Sequence, residues 1–146
     1  MIGIRFEIPN EYGQFLKKIL ENVKIKNGFW KIVTDDIIKK NGDYIFNEEI
    51  YNNIDFQEII SSNEYYLTFA DIQYYNENKF SEIYDFESFL KSNCDLLIIV
   101  VDNIFVDIYS KSKVIIKHIE NNAIKYKFKN ITIINNKLDK RNTFYI

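Results

Sequence analysis

The sequence predicts an α+β fold: a single domain in which a mixed or mostly antiparallel sheet carries about four helices packed on it. Three observations predict it. Ile2, Ile4, Phe6 and Ile8 alternate with Gly3, Arg5 and Glu7, the period of a half-buried strand. Leu96-Leu97-Ile98-Ile99-Val100-Val101 is apolar without alternation, so both faces of that strand should be buried and the strand central. Asn41-Gly42-Asp43 and Asp102-Asn103 are turn signals too short to hold a crossover helix, and they predict hairpins with antiparallel neighbours.

The elements follow in order. Pro9 cannot donate to a ladder and ends the first strand. Asn10 is expected to cap a helix, with Glu11 near the positive end of its dipole and Phe15, Leu16, Ile19, Leu20 and Val23 as its apolar stripe. Asn27-Gly28 breaks the chain before a strand over Phe29 to Thr34. Ile37-Ile38 and Tyr44-Ile45-Phe46 flank the first turn, and the polar residues 47–53 are expected to form a loop. Asp55 is expected to cap a short helix carrying Phe56, Ile59 and Ile60. Tyr65 to Tyr75 reads as a strand, and Asn76 to Lys79 as a loop. Asp85 caps another short helix, with Phe86, Phe89 and Leu90 expected to point inward.

After the central strand, Ile104, Val106 and Ile108 alternate with Phe105, Asp107 and Tyr109. Ser110 or Ser112 caps a helix striped by Ile115, Ile119 and Ala123. Ile131 to Ile134 is a strand, and Thr143 to Ile146 is expected to pair with it after a turn at Asp139 to Asn142. One Pro, four Gly and no linker composition imply one domain over residues 1–146.

Charge is sorted along this order. Residues 35–107 hold sixteen Asp/Glu against four Lys, a local net of −12. Residues 1–34 hold six Lys/Arg against three Glu, +3, and residues 108–146 hold nine against two acids, +7. The total of −2 therefore hides an acidic middle and a basic end, a pattern that points to a partner surface. The hydrophobic fraction of 47% and charged fraction of 27% are those of an ordinary globular chain. The eleven Tyr and twelve Phe are read chiefly as core fillers, although aromatics also serve binding surfaces. Met1 leads straight into an alternating strand, so no signal peptide is expected, and the longest apolar run is too short to span a bilayer. Cys94 is the only cysteine, which excludes an intramolecular disulfide and fits a reducing compartment, so a cytoplasmic location is expected.

Several chemistries are disfavoured. His118 is the only histidine, which removes multi-histidine metal sites, and it lies off the Ile115–Ile119–Ala123 stripe at an expected solvated position. Cys94 sits between Asn93 and Asp95, with no positive neighbour to lower its pKa, and reads as structural. Gly3, Gly13, Gly28 and Gly42 are isolated, and no Gly-Lys-Ser/Thr follows any of them, so a glycine-loop nucleotide site is disfavoured. The spacing of Asp71, Asp102 and Asp107 matches no metal loop. No cofactor and no metal are expected.

Carboxylates remain. Asp35-Asp36 and Glu48-Glu49 are adjacent pairs, expected on loops or element ends and solvated. Asp71, Asp102 and Asp107 interrupt or border apolar β segments, where a charge needs a partner or a water-facing site. Lys125-Tyr126-Lys127-Phe128-Lys129, if extended, would set three Lys on one face, as a nucleic-acid surface or a protected edge strand would. With a net charge of −2 and only Arg5 and Arg141 as arginines, nucleic acid is disfavoured.

Phe6-Glu7-Ile8-Pro9-Asn10-Glu11-Tyr12-Gly13, Phe69-Ala70-Asp71, Phe89-Leu90 with Cys94, Val101-Asp102, and Val106 with Ile108-Tyr109 carry a resemblance. So does Asp139-Lys140-Arg141-Asn142-Thr143, where Asn142 stands between the Arg and Thr that would otherwise adjoin. Together they resemble a family of small bacterial proteins described only as a domain of unknown function. The resemblance spans nearly the whole chain and implies one domain. It implies no activity, cofactor or catalytic residue.

Two functions are expected from different classes. The first is a cytoplasmic, non-enzymatic interaction module that neutralises a basic protein partner, with Asp35, Asp36, Glu48 and Glu49 as binding residues; charge complementarity would speed and select the encounter. The second is an enzyme or small-molecule binder with a carboxylate-lined pocket built from Asp71, Asp107, Tyr12 and Arg141. Neither involves a membrane, and neither fixes an oligomeric state. Between them stands a question of folding: the basic end either covers the acidic middle or leaves it bare around Asp35 to Glu64.

Overall fold

A computed structural model describes residues 2–135 of the chain. In chain order the elements are β1 (Gly3–Glu7), α1 (Phe15–Ile19), β2 (Phe29–Ile38), β3 (Ile50–Asn52), α2 (Asn53–Ser62) and β4 (Tyr66–Tyr75). Then come α3 (Phe86–Lys91), β5 (Cys94–Val101), β6 (Phe105–Ser110), α4 (Lys113–Lys125) and β7 (Lys129–Ile134). The strands form one seven-stranded sheet in the order β3-β2-β4-β5-β6-β1-β7. Every ladder in it is antiparallel, so the expected α+β class holds and its sheet takes the purely antiparallel form.

The unalternated run lies where its composition requires. β5 is the middle strand, and its side chains feed two cores. Leu96, Ile98 and Val100 enter the larger one, with Phe15, Leu16 and Ile19 of α1, Phe56 and Ile60 of α2, and Ile116, Ile119 and Ala123 of α4. Leu97 and Ile99 enter the smaller one, with Tyr75, Tyr109 and Phe89 of α3. Three helices thus cover one sheet face, and α3 covers part of the other. The β5–β6 connection spans residues 102–104, with Asp102 and Asn103 both left-handed at φ 58° and 55° and Ile104 N–H donating to the Val101 carbonyl at 3.2 Å.

Several boundaries differ from expectation. Asn10 does not cap α1, because Gly13 exchanges backbone hydrogen bonds with Tyr65 (3.1 and 2.8 Å) and holds the chain extended up to the helix. The Asn10 side chain instead accepts from Asn103 Nδ2 at 2.9 Å. α1 ends at Ile19, with Leu20 buried just beyond it. Asn52, not Asp55, caps α2: its Oδ1 accepts from the Asp55 N–H at 2.8 Å. Residues 50–52 form a short strand where a loop was expected, and the Tyr51 hydroxyl braces the turn before it by accepting from Asn47 N–H and Glu48 N–H, each at 2.7 Å. In α3 Phe89 is buried but Leu90 is 43% exposed, because one six-residue helix presents only one narrow stripe to the sheet. Asp85 caps α3 as expected, within a capping box completed by Ser88, and of the two serines offered for α4 it is Ser112 that caps it.

The Lys125–Lys129 segment is not extended. α4 runs to Lys125, Lys127 turns the chain at φ 59°, and Phe128 is buried against Phe6 and Phe15. The three lysines therefore do not line one strand face. The expected pairing of Thr143 to Ile146 lies outside the described residues. Among the described residues no helix is long and apolar enough to cross a membrane.

Candidate functional site

Strand order decides where the acidic and basic segments lie relative to one another. Among the described residues, β3, β2 and α2 occupy one edge of the sheet and β7 occupies the other, with α4 packed on β1, β6 and β7. Six strand spacings separate the outermost strands, about 29 Å at about 4.8 Å each. That exceeds the screening length of about 8 Å at physiological salt.

At the first edge Asp43, Glu48, Glu49, Asp55, Glu58 and Glu64 are exposed, and Asp35 and Asp36 are half-buried. None of these acids takes part in an ion pair among the described residues. The pairs are Arg5–Asp107, Lys91–Glu87, Lys117–Glu120 and Lys125–Glu21. Glu48 and Glu49 sit in the loop before β3, where they were expected, and the Glu49 carbonyl accepts from Ile32 N–H at 2.8 Å.

Asp35 and Asp36 do not lie on a loop or an element end. They stand inside β2, opposite Ala70 and Phe69, between register shifts at Ile32/Thr34 and Asp36/Ile37. Such bulges re-aim side chains locally, which lets two adjacent charges occupy a strand. Asp35 Oδ1 is buried and accepts no hydrogen bond among the described residues. Burial raises the Asp35 carboxyl above its ordinary range; a backbone bond from Ile37 opposes this, and the Asp36 charge adds to it.

Asp71 and Asp107 belong to the other sheet face. Asp71 stands opposite Ile99, Ile99 opposite Asp107, and Asp107 opposite Arg5, so these residues form one cross-strand row over β4, β5, β6 and β1. Arg5 grips Asp107 with Nε to Oδ1 at 2.7 Å and Nη2 to Oδ2 at 3.1 Å. Asp71 is 1% exposed, and its Oδ1 accepts from Gln73 Nε2 at 3.3 Å. Gln73 Oε1 in turn accepts from the Tyr75 hydroxyl at 2.5 Å. A polar chain thus runs along one side of β4 from Asp71 through Gln73 to Tyr75, and Tyr75 shares the smaller core with Phe89 of α3. Gln73 was not singled out from sequence, although a Gln two residues from an Asp within an apolar strand is the signal that could have found it. Cys94 lies at the end of this region, fully buried, and burial pushes its thiol up to about 12, so it is no nucleophile at neutral pH.

Tyr12 is placed elsewhere. Its ring packs on Tyr66 at 4.8 Å, its hydroxyl accepts from Lys40 N–H at 3.3 Å, and Lys40 Nζ lies 4.9 Å from the ring centre. Tyr66 begins β4 and Asp71 is five residues on, about 17 Å along a strand. Of the four residues expected in one pocket, Asp71 and Asp107 therefore share a row and Tyr12 stands apart. Arg141 lies outside the described residues. No group of three His, Cys, Asp or Glu with metal-holding geometry occurs among the described residues.

An antiparallel seven-stranded sheet with three helices on one face and one on the other, without a recognisable catalytic constellation among the described residues, defines an α+β protein whose chemistry is not declared by its fold. Residues 1–145 match the family described as "Protein of unknown function (DUF2691)", and the chain belongs to that family. The resemblance carried by Phe6–Gly13 and the later segments is thereby borne out. The chain is 30% identical over 151 residues to "Uncharacterized protein YncE" of Bacillus subtilis (strain 168), which spans 99% of this chain and 98% of that one. No solved structure matches it.

Proposed function

We propose that this protein is a non-enzymatic interaction module that engages a positively charged protein through the acidic edge formed by β2, β3 and α2. One observation supports the reading: eight acids between Asp35 and Glu64 gather at one edge of the sheet, none in an ion pair among the described residues, with α4 and β7 toward the far edge. Unscreened like charges at one edge raise the encounter rate with a cationic surface and reject anionic ones. Asp35, Asp36, Glu48 and Glu49 are the residues proposed to contact it. Fluorescence anisotropy of a labelled oligolysine peptide tests this. Binding should weaken steeply with salt and fall by at least about tenfold in Glu48→Lys/Glu49→Lys. Equal binding by that variant would defeat the reading.

A second reading is favoured by the Asp71–Ile99–Asp107–Arg5 row, which sets two carboxylates and a guanidinium on one sheet face, as a small-molecule binder or enzyme would. Spermidine is a suitable small cationic probe. Stabilisation of the protein by spermidine that Asp107→Asn abolishes and Glu48→Lys leaves intact would favour this reading over the first.

A further inference from the structure

We infer that a partner of the acidic edge is a second copy of this chain, docked head to tail by its basic α4 face; the inference rests on the interaction reading above. The two most exposed large apolar side chains among the described residues are Val114, 79%, and Ile54, 66%. A single exposed apolar residue needs no explanation. These two lie on the outer faces of helices that carry opposite charge. On α2, Ile54 and Glu58 are one turn apart, with Asp55 beside them. On α4, Val114, Lys117, Asn121 and Ile124 follow at helical spacing, and Ile124 is 59% exposed. Lys113, Val114, Lys117, His118 and Asn121 line a shallow hollow of about 470 Å³ on that face, large enough to receive an Ile side chain.

Each edge therefore presents an apolar knob within a charged surround, and the two surrounds are complementary. Ile54 with Asp55 and Glu58 fits Val114 with Lys113 and Lys117. Because the donor and acceptor surfaces lie at opposite edges of the sheet, one contact leaves the other two surfaces unused. The association is heterologous, and it builds chains or rings rather than a closed two-fold dimer.

Sedimentation velocity of the full chain over a concentration series tests this at low and high salt. The average mass should grow with concentration at low salt and return to one chain at high salt. Glu58→Lys with Ile54→Lys reverses the acidic face, and Lys113→Glu with Lys117→Glu reverses the basic one. All four residues are on the surface, so both variants should fold. Each alone should weaken association by about tenfold or more, and an equimolar mixture of the two should regain it. Wild-type protein that keeps one-chain mass at every concentration at low salt would overturn the inference. Variants that associate as wild type does, or a mixture that does not recover, would overturn it equally. Oligolysine binding on the same samples separates the two claims: if it persists without self-association, only this inference falls; if both are absent, both fall.

Discussion

Arg5 on β1 clasps Asp107 on β6 through two hydrogen bonds, 2.7 and 3.1 Å, at a directly paired position of the ladder. The Asp107 side chain is 14% exposed and that of Arg5 46%. The acid is thus the desolvated member, and the forked geometry suits a guanidinium better than an ammonium. Arg5→Ala should cost about 1–2 kcal/mol by urea unfolding, and Arg5→Lys should recover only part of it. No loss in Arg5→Ala would mean that the pair contributes nothing beyond its solvated alternatives.

Asn103 locks the hairpin to the rest of the fold. It is 3% exposed at φ 55°, its Oδ1 accepts from Leu67 N–H at 2.8 Å, and its Nδ2 donates to Asn10 Oδ1 at 2.9 Å. Asn103→Ala orphans a buried N–H and puts a Cβ without local hydrogen bonding in the left-handed region. The expected cost is about 2–3 kcal/mol. Asn103→Gly relieves only the backbone part and should lie between the two. Chemical denaturation of the three proteins checks the ranking.

Cys94 sets an alkaline limit. Its thiol is raised to about 12 by burial, against about 8.5 when unfolded. Above about pH 8.5 the unfolded chain releases a proton that the folded chain keeps, so stability is full below that pH and falls as pH rises toward the folded value. The slope contributed is about 1.4 kcal/mol per pH unit. Urea midpoints between about pH 8 and about pH 10 should drop in the wild type and drop less in Cys94→Ala. The window stops there because the buried Tyr65 and Tyr75 hydroxyls, also raised by burial, join in above the ordinary tyrosine range. A native thiol that reacts with a thiol reagent at neutral pH as fast as the unfolded one would contradict the burial argument.

Legibility in the sequence followed the strength of local signals. The alternation of Ile2 to Ile8 and the unbroken apolar run at Leu96 reported burial on one face and on two, and β1 and β5 took those places. Asp85 capped as read, and Ser112 proved to be the cap among the two serines read for α4, because an Asx or Ser cap needs only neighbours three residues away. Asn10 failed because its competitor is distant: the Gly13–Tyr65 bridge outweighs a local cap. β3 was missed because Ile50, Tyr51 and Asn52 form a strand only by pairing with Phe29 to Lys31. For the candidate site, the carboxylates were legible but their grouping was not. Asp71 and Asp107 share a row through register, and the acids from Asp35 to Glu64 share an edge through strand order. Both are properties of pairing between distant segments.

The proposed acidic interaction edge is tested most directly by mapping, with backbone amide NMR, the residues perturbed when unlabelled oligolysine is titrated into the labelled protein at low salt. The predicted result is a contiguous set of shifts over β2, β3 and α2, centred on Asp35, Asp36, Glu48 and Glu49, that fades as salt is raised. Shifts centred on α4 and β7, or no saturable shifts at all, would contradict it.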